Sequence, residues 1–91
     1  MVQIVVEPLG PREFSVLVRD GGAETFHKVL VPEGFGAEFG LPPAPLETVV
    51  ERSFEFLLER EPASQILGRF TLDQICRYFP EYPREITLRL L

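Results

Sequence analysis

Cysteine and histidine are nearly absent from this sequence: Cys76 and His27 are the single examples, and asparagine does not occur. One cysteine cannot form an internal disulfide or a cysteine-based metal cluster, and one histidine excludes a histidine-rich metal site. A Cys-His nucleophile would also need a third group to orient the imidazole, and there is no asparagine for that part. We therefore predict no metal, no cofactor and no catalytic residues, and we interpret the protein as non-enzymatic.

Basic residues are also scarce. Nine lysine and arginine residues against fourteen aspartate and glutamate residues give a net charge of −5, which repels nucleic-acid phosphates and anionic lipids at long range. No uncharged run is long enough to span a membrane, and the amino terminus lacks the basic region and long apolar core of a signal peptide. We expect a cytoplasmic protein that binds no membrane and for which nucleic acid is a disfavoured partner. The sequence identifies no small-molecule ligand.

The residues that are present are sufficient for a folded domain. The chain is 45% hydrophobic and 25% charged, so it has enough apolar surface to offset the entropy lost on folding, and its length suits one domain. We predict a single α+β domain over residues 1–91. It has strands in 1–31, a connector rich in proline and glycine with one helical turn in 32–45, and helices in 46–91.

The amino-terminal part predicts a three-stranded antiparallel sheet. Apolar side chains alternate from Val2 to Val6, which favours a first strand that ends near Pro8. Gly21-Gly22 can supply the positive φ angles of a two-residue hairpin turn between the next two β-rich runs. That turn fixes the facing pairs, which are Arg19 with Glu24, Leu17 with Phe26, Val16 with His27, and Phe14 with Val29.

This register divides the sheet into two faces. The face expected to lie in the core carries Phe14, Val16, Val18, Val29 and Val31. The opposite face mixes the apolar residues Leu17, Phe26 and Leu30 with charged side chains. If the helices cover one side only, those three residues are left for a partner.

Three helices are predicted after the connector and are expected to pack against the sheet. Apolar residues spaced i, i+3, i+4, i+7 predict the first over residues 46–60. Thr71, followed three residues later by Gln74, matches a capping box and predicts a short second helix that ends before Pro80. The last segment begins at Pro83 and fits a helix or, by the alternation of its apolar residues, a strand. We favour the helix.

The residues with chemical potential are interpreted as structural. Cys76 shares a stripe with the apolar residues of the second helix, where burial leaves a thiol inert. His27 shares a sheet face with Val16 and Val29, so we expect it to be partly buried with one hydrogen-bonded nitrogen. The segment CRYFPEYP (76–83) is interpreted as a packed corner rather than a stacking platform for a ligand, because its arginines are offset by glutamates.

Phe56 and the second sheet face predict an interaction surface. Phe56 lies roughly opposite Phe54, away from the apolar stripe of the first helix, where Arg52 and Arg60 could shield its ring. The candidate interaction residues are Leu17, Phe26, Leu30, Phe56, Arg52 and Arg60. They predict a protein-interaction or regulatory module whose partner is another protein or a second copy of the chain.

Two further features suggest other partners. Glutamates recur every four residues from Glu47 to Glu59; we interpret this ridge as a solvated face, with docking of a basic partner as the alternative. A helix, a tight turn and the segment TLDQICRYF (71–79) also suggest a helix-turn-helix that binds nucleic acid. Charge argues against that alternative, because residues 62–91 hold four arginines against three acidic residues.

Two stretches carry a resemblance to known proteins. They are GGAETFHKVLVP (21–32) and ERSFEFLLEREPASQILGRFTLDQICRYFPEYPREI (51–86), and they resemble a family of short bacterial proteins of about this length with no assigned activity. The resemblance implies a stand-alone bacterial cytosolic domain. It implies no catalytic or binding residues.

Overall fold

The protein combines one β-sheet with helices, as the sequence predicts. A computed structural model describes residues 2–91 and shows within them a four-stranded sheet in the order β1-β2-β3-β4 and four α-helices. The strands are β1 (Val2–Pro8), β2 (Glu13–Asp20), β3 (Ala23–Leu30) and β4 (Arg69–Thr71). The helices are α1 (Phe35–Glu38), α2 (Leu46–Leu58), α3 (Ile75–Tyr78) and α4 (Tyr82–Leu90).

The β2–β3 hairpin has the predicted register. Gly21 and Gly22 have φ angles of 59° and 90°, values that residues with a side chain rarely adopt. All four predicted facing pairs are present. At the end of the hairpin the Arg19 Nε donates a hydrogen bond to the Glu24 carboxylate at 2.7 Å. The β1 strand pairs antiparallel with the other side of β2.

The fourth strand corrects the prediction of a three-stranded antiparallel sheet. Residues Arg69–Thr71 pair in parallel with β3 from Lys28 to Leu30, so the sheet is mixed and residues 46–91 are not wholly helical. Three residues are too few to show an alternating pattern. A parallel partner must also return through a long crossover, here residues 31–68, so no local signal in the sequence marks the pairing.

The helices follow the sequence pattern closely. The predicted single turn in the connector is α1, and the helix predicted over residues 46–60 is α2, which ends two residues earlier. The capping box is present: the Thr71 backbone N–H donates to the Gln74 side-chain oxygen at 2.9 Å and opens a 3-10 turn that leads into α3. The last segment is the helix α4. Within residues 2–91 no helix has the length and apolar character needed to cross a membrane.

The core lies between one face of the sheet and the helices. The five side chains predicted for the core face are at most 3% exposed, and they belong to one cluster with Val50 and Phe54 of α2 and Ile86 of α4. Arg12 fixes the start of the connector, because its Nε donates to the Val31 carbonyl at 2.7 Å. The helices and the connector therefore lie on one side of the sheet.

Candidate functional site: the outer sheet face

The face of the sheet that points away from the core is called here the outer sheet face. Strand pairing aligns its side chains in rows that run across the strands. The central row is Val5, Leu17 and Phe26. The row nearer the hairpin turn is Gln3, Arg19 and Glu24, and the row on the other side is Glu7, Ser15, Lys28 and Arg69. One apolar row is thus flanked by two polar rows.

Phe26 is the most exposed aromatic ring on this face. The residue is 71% exposed, whereas Val5 and Leu17 beside it are half-buried. Leu30 is 46% exposed and lies beyond the row of Lys28. No helix in the part of the chain that the structure describes covers Phe26. Exposed apolar groups that lie together and are rimmed by polar residues are typical of interaction sites.

Phe56 is not part of this surface or of any other, which corrects the sequence prediction. It is 0% exposed. Its ring lies edge-on to Phe79 and Tyr82, with centroids 5.8 and 5.3 Å away, and the Arg60 guanidinium lies 3.7 Å from the ring centroid. The prediction failed because α2 packs on two sides: one stripe faces the sheet, and Phe56 belongs to a second stripe that faces α4.

Of the two arginines predicted to shield Phe56, Arg60 does so and Arg52 does not. Arg52 pairs instead with Glu51 at 3.3 Å and with Glu55 at 2.6 Å. Farther along the acidic ridge, Glu59 accepts a hydrogen bond from Arg89 at 2.7 Å, and this contact lowers the pKa of the Glu59 carboxyl. Much of the ridge is therefore neutralised by arginines of the same chain, which favours a solvated face over a docking surface for a basic partner.

His27 is more constrained than the sequence predicts. It is 4% exposed, and both ring nitrogens have partners rather than one: Nδ1 lies 2.8 Å from the Leu67 carbonyl oxygen and Nε2 lies 2.9 Å from the Thr25 hydroxyl. A neutral ring with its proton on Nδ1 satisfies both contacts. The ring also packs at 5.3 Å from Phe54. His27 thus ties β3 to the loop before β4, with no lone pair free for other chemistry.

Cys76 is half-buried on α3 and packs against the core cluster. Burial raises the pKa of its thiol, and the nearby carboxylates of Asp73 and Glu38 raise the pKa further. The thiolate, which is the nucleophile, is therefore disfavoured near neutral pH. Among residues 2–91, no three histidine, cysteine or acidic side chains are grouped so that they could hold a metal ion.

The segment CRYFPEYP (76–83) is a packed corner for two of its three rings. Tyr82 is 0% exposed and its hydroxyl lies 2.6 Å from the Ser53 Oγ, while Phe79 packs against Phe56. Tyr78 is 66% exposed. It lies at the edge of a groove rather than in a stacked pair.

That groove lies between the end of α2 and α3 and has a volume of about 370 Å³, near the lower limit for small-molecule sites. Apolar side chains make most of its wall, which is lined by Leu57, Glu61, Gln65, Ile66, Leu67, Phe70, Gln74, Ile75, Tyr78 and Phe79. Sequence reasoning did not find the groove, because its residues come from separate segments. Val5 of the central row was also missed, although its alternation with Ile4 and Val6 places it on the outer sheet face.

Comparisons of the chain with protein-family models, with curated proteins and with solved structures found no match. The resemblance to short bacterial proteins therefore stays a prediction.

Proposed function

We propose that this protein is a non-enzymatic interaction or regulatory module that binds another protein chain through the outer sheet face. The observation that supports this most directly is the 71% exposure of Phe26 beside Leu17 and Val5. Covering the exposed part of this ring would remove roughly 100 to 150 Å² of apolar surface from water, worth about 3 kcal/mol. Among the residues that the structure describes, nothing offers that cover.

The surroundings of Phe26 have the composition of a protein interface. An apolar centre is bordered by polar and charged rows that include Arg19, Glu24 and Lys28. Interfaces between proteins commonly combine a buried apolar centre with a polar rim, and aromatic residues near the centre carry much of the binding energy. The outer sheet face therefore supports protein binding better than it supports chemistry.

The test compares two exposed aromatic residues on different surfaces. Tagged wild type, Phe26→Ser and Tyr78→Ser would be used to retain proteins from the lysate of the native host, after circular dichroism has shown that all three are folded. We expect Phe26→Ser to lose the retained chain and Tyr78→Ser to keep it. Retention of the same proteins by Phe26→Ser would contradict the proposal, as would a wild type that neither retains a host protein nor associates with itself.

The helix-turn-helix alternative has less support. The segment TLDQICRYF (71–79) contains a 3-10 turn and the four-residue helix α3, whereas a recognition helix needs several turns to follow the major groove. Arg89 of α4 is held by Glu59. In a duplex-binding assay at about 50 mM salt, where phosphate contacts are strong, we expect no shift in mobility.

A further inference from the structure

We propose that the chain bound by the outer sheet face is a second copy of this protein, in a two-fold symmetric dimer in which the two central rows face each other. This inference rests on the proposed interaction function and names its partner. It is carried by the arrangement of charges around Phe26.

The charges are self-complementary about the central row. A two-fold axis that runs parallel to this row, just above the sheet, sets Phe26 against Phe26 of the second copy and exchanges the two flanking rows. Glu24 and Lys28 lie on β3, two residues to either side of Phe26. Glu24 of each copy therefore faces Lys28 of the other; Arg19 of its own chain occupies Oε2 of Glu24, which leaves Oε1 for this contact. Two symmetric ion pairs then border one aromatic contact.

The remaining flanking positions are compatible with the same axis. It sets Gln3 against Glu7 and Arg19 against Ser15, while Arg69 beside Lys28 has no counterpart in the other row, so no like charges face each other across the contact. If the two-fold axis lay above the row of Lys28 instead, Lys28 would face Lys28 of the second copy. Like charges in direct contact disfavour that register, and the charge pattern therefore selects one arrangement.

The size of the face predicts a weak dimer. The strands are about 4.8 Å apart and each residue extends a strand by about 3.3 Å, so this sheet offers a contact area of roughly 400 Å² per copy. The total of roughly 800 Å² is below the about 1,200 Å² of stable complexes, so association should be reversible and concentration-dependent. The central position of Phe26 makes it the residue on which association depends most.

The test is an exchange of charges between two variants of the full chain. Sedimentation equilibrium would be measured for Glu24→Lys, for Lys28→Glu and for their equimolar mixture at low salt. Each variant alone places like charges in contact twice and should raise the dimer Kd by about tenfold. In the mixed dimer both contacts pair opposite charges, so the mixture should return to within about twofold of the wild-type Kd.

Matched controls distinguish the effect of this contact on the Kd from the effect of a change in net charge. Glu47→Lys and Arg77→Glu change the charge by the same amounts at exposed sites on α2 and α3, and both should leave the Kd unchanged. Phe26→Ser should abolish the dimer. Circular dichroism would confirm that each variant is folded, which is expected because Glu24, Lys28 and Phe26 are all exposed.

Several outcomes would overturn the dimer. One is association that survives Phe26→Ser, which would place the contact elsewhere, for example on the open edge of β1. Another is a mixture that associates no more strongly than either variant alone, and a third is a wild type that stays monomeric up to about 1 mM. In that third case, loss of retained host proteins by Phe26→Ser would leave the interaction function standing with a different partner. If the wild type does not self-associate and Phe26→Ser does not change which host proteins are retained, both proposals are overturned.

Discussion

Two buried hydroxyl groups give the sharpest stability prediction. Ser53 and Tyr82 are both 0% exposed. The Ser53 Oγ donates to the Val49 carbonyl at 2.7 Å and lies 2.6 Å from the Tyr82 hydroxyl oxygen. A serine hydroxyl carries one proton, and Ser53 donates it to the Val49 carbonyl. Tyr82 must therefore be the donor to Ser53, and this bond joins α2 to α4.

The direction of this hydrogen bond determines how much each variant is expected to lower the free energy of unfolding. Ser53→Ala leaves the Tyr82 hydroxyl buried without an acceptor, which costs about 1 to 3 kcal/mol. The better helix propensity of alanine offsets about 0.5 kcal/mol of that cost. Tyr82→Phe removes the donor but leaves the bond from Ser53 to Val49 intact, and should cost about 1 kcal/mol. Both single variants remove the same bond between Tyr82 and Ser53, so the cost of the double variant should be about 1 kcal/mol less than the sum of the single costs.

The measurement is equilibrium unfolding in urea at pH 7, followed by circular dichroism. A domain of this size has a free energy of unfolding of about 5 to 10 kcal/mol, so all three variants remain measurable. Tyr78→Phe removes an exposed hydroxyl and should stay within about 0.5 kcal/mol of the wild type. Strictly additive losses for Ser53→Ala and Tyr82→Phe would show that the two groups do not share a bond, and would refute the reasoning.

Three other perturbations follow from buried or covered groups. Burial raises the pKa of the Tyr82 phenol, so above about pH 10 the folded chain keeps a proton that the unfolded chain releases, and the free energy of unfolding should fall by up to about 1.4 kcal/mol per pH unit. Denaturant titrations at several pH values should show that the free energy of unfolding of Tyr82→Phe lacks this fall above about pH 10. Burial raises the pKa of the Cys76 thiol, so iodoacetamide should alkylate it more slowly than free cysteine at neutral pH; equal rates would contradict this. Arg60→Met should cost about 0.5 to 1 kcal/mol in urea unfolding, because the guanidinium that stacks on Phe56 and bonds to the Phe56 carbonyl is lost. The same change at Arg52 should cost less, and equal losses would argue against the stacking.

The hairpin and α2 could be predicted because their signals are local. Gly21-Gly22 allows one kind of tight turn, and that turn fixes every facing pair between β2 and β3. The apolar spacing of α2 identifies the stripe that faces the sheet. The outer sheet face was predicted as far as Leu17, Phe26 and Leu30, since strand alternation separates the two faces.

The features that could not be predicted depend on partners distant in sequence. The strand β4 is too short to show an alternation of apolar and polar residues, and it is a strand only through its pairing with β3. Phe56 was misplaced because the spacing of Val49, Ser53 and Phe56 forms a second stripe, and only the position of α4 shows that this stripe is buried. The charge symmetry around Phe26 likewise needs the full strand pairing, which places Glu7 and Lys28 in one row.

The parallel pairing of β3 with β4 has a consequence during synthesis. A growing polypeptide leaves the ribosome amino terminus first, so the hairpin can form while residues 69–71 are still in the exit tunnel. Until they emerge, the peptide groups of β3 from Lys28 to Leu30 have no strand beside them and His27 has no Leu67 carbonyl to bind. An open strand edge next to an exposed phenylalanine is prone to pair with neighbouring chains. The nascent chain is thus most exposed to misassembly in the interval before β4 leaves the tunnel.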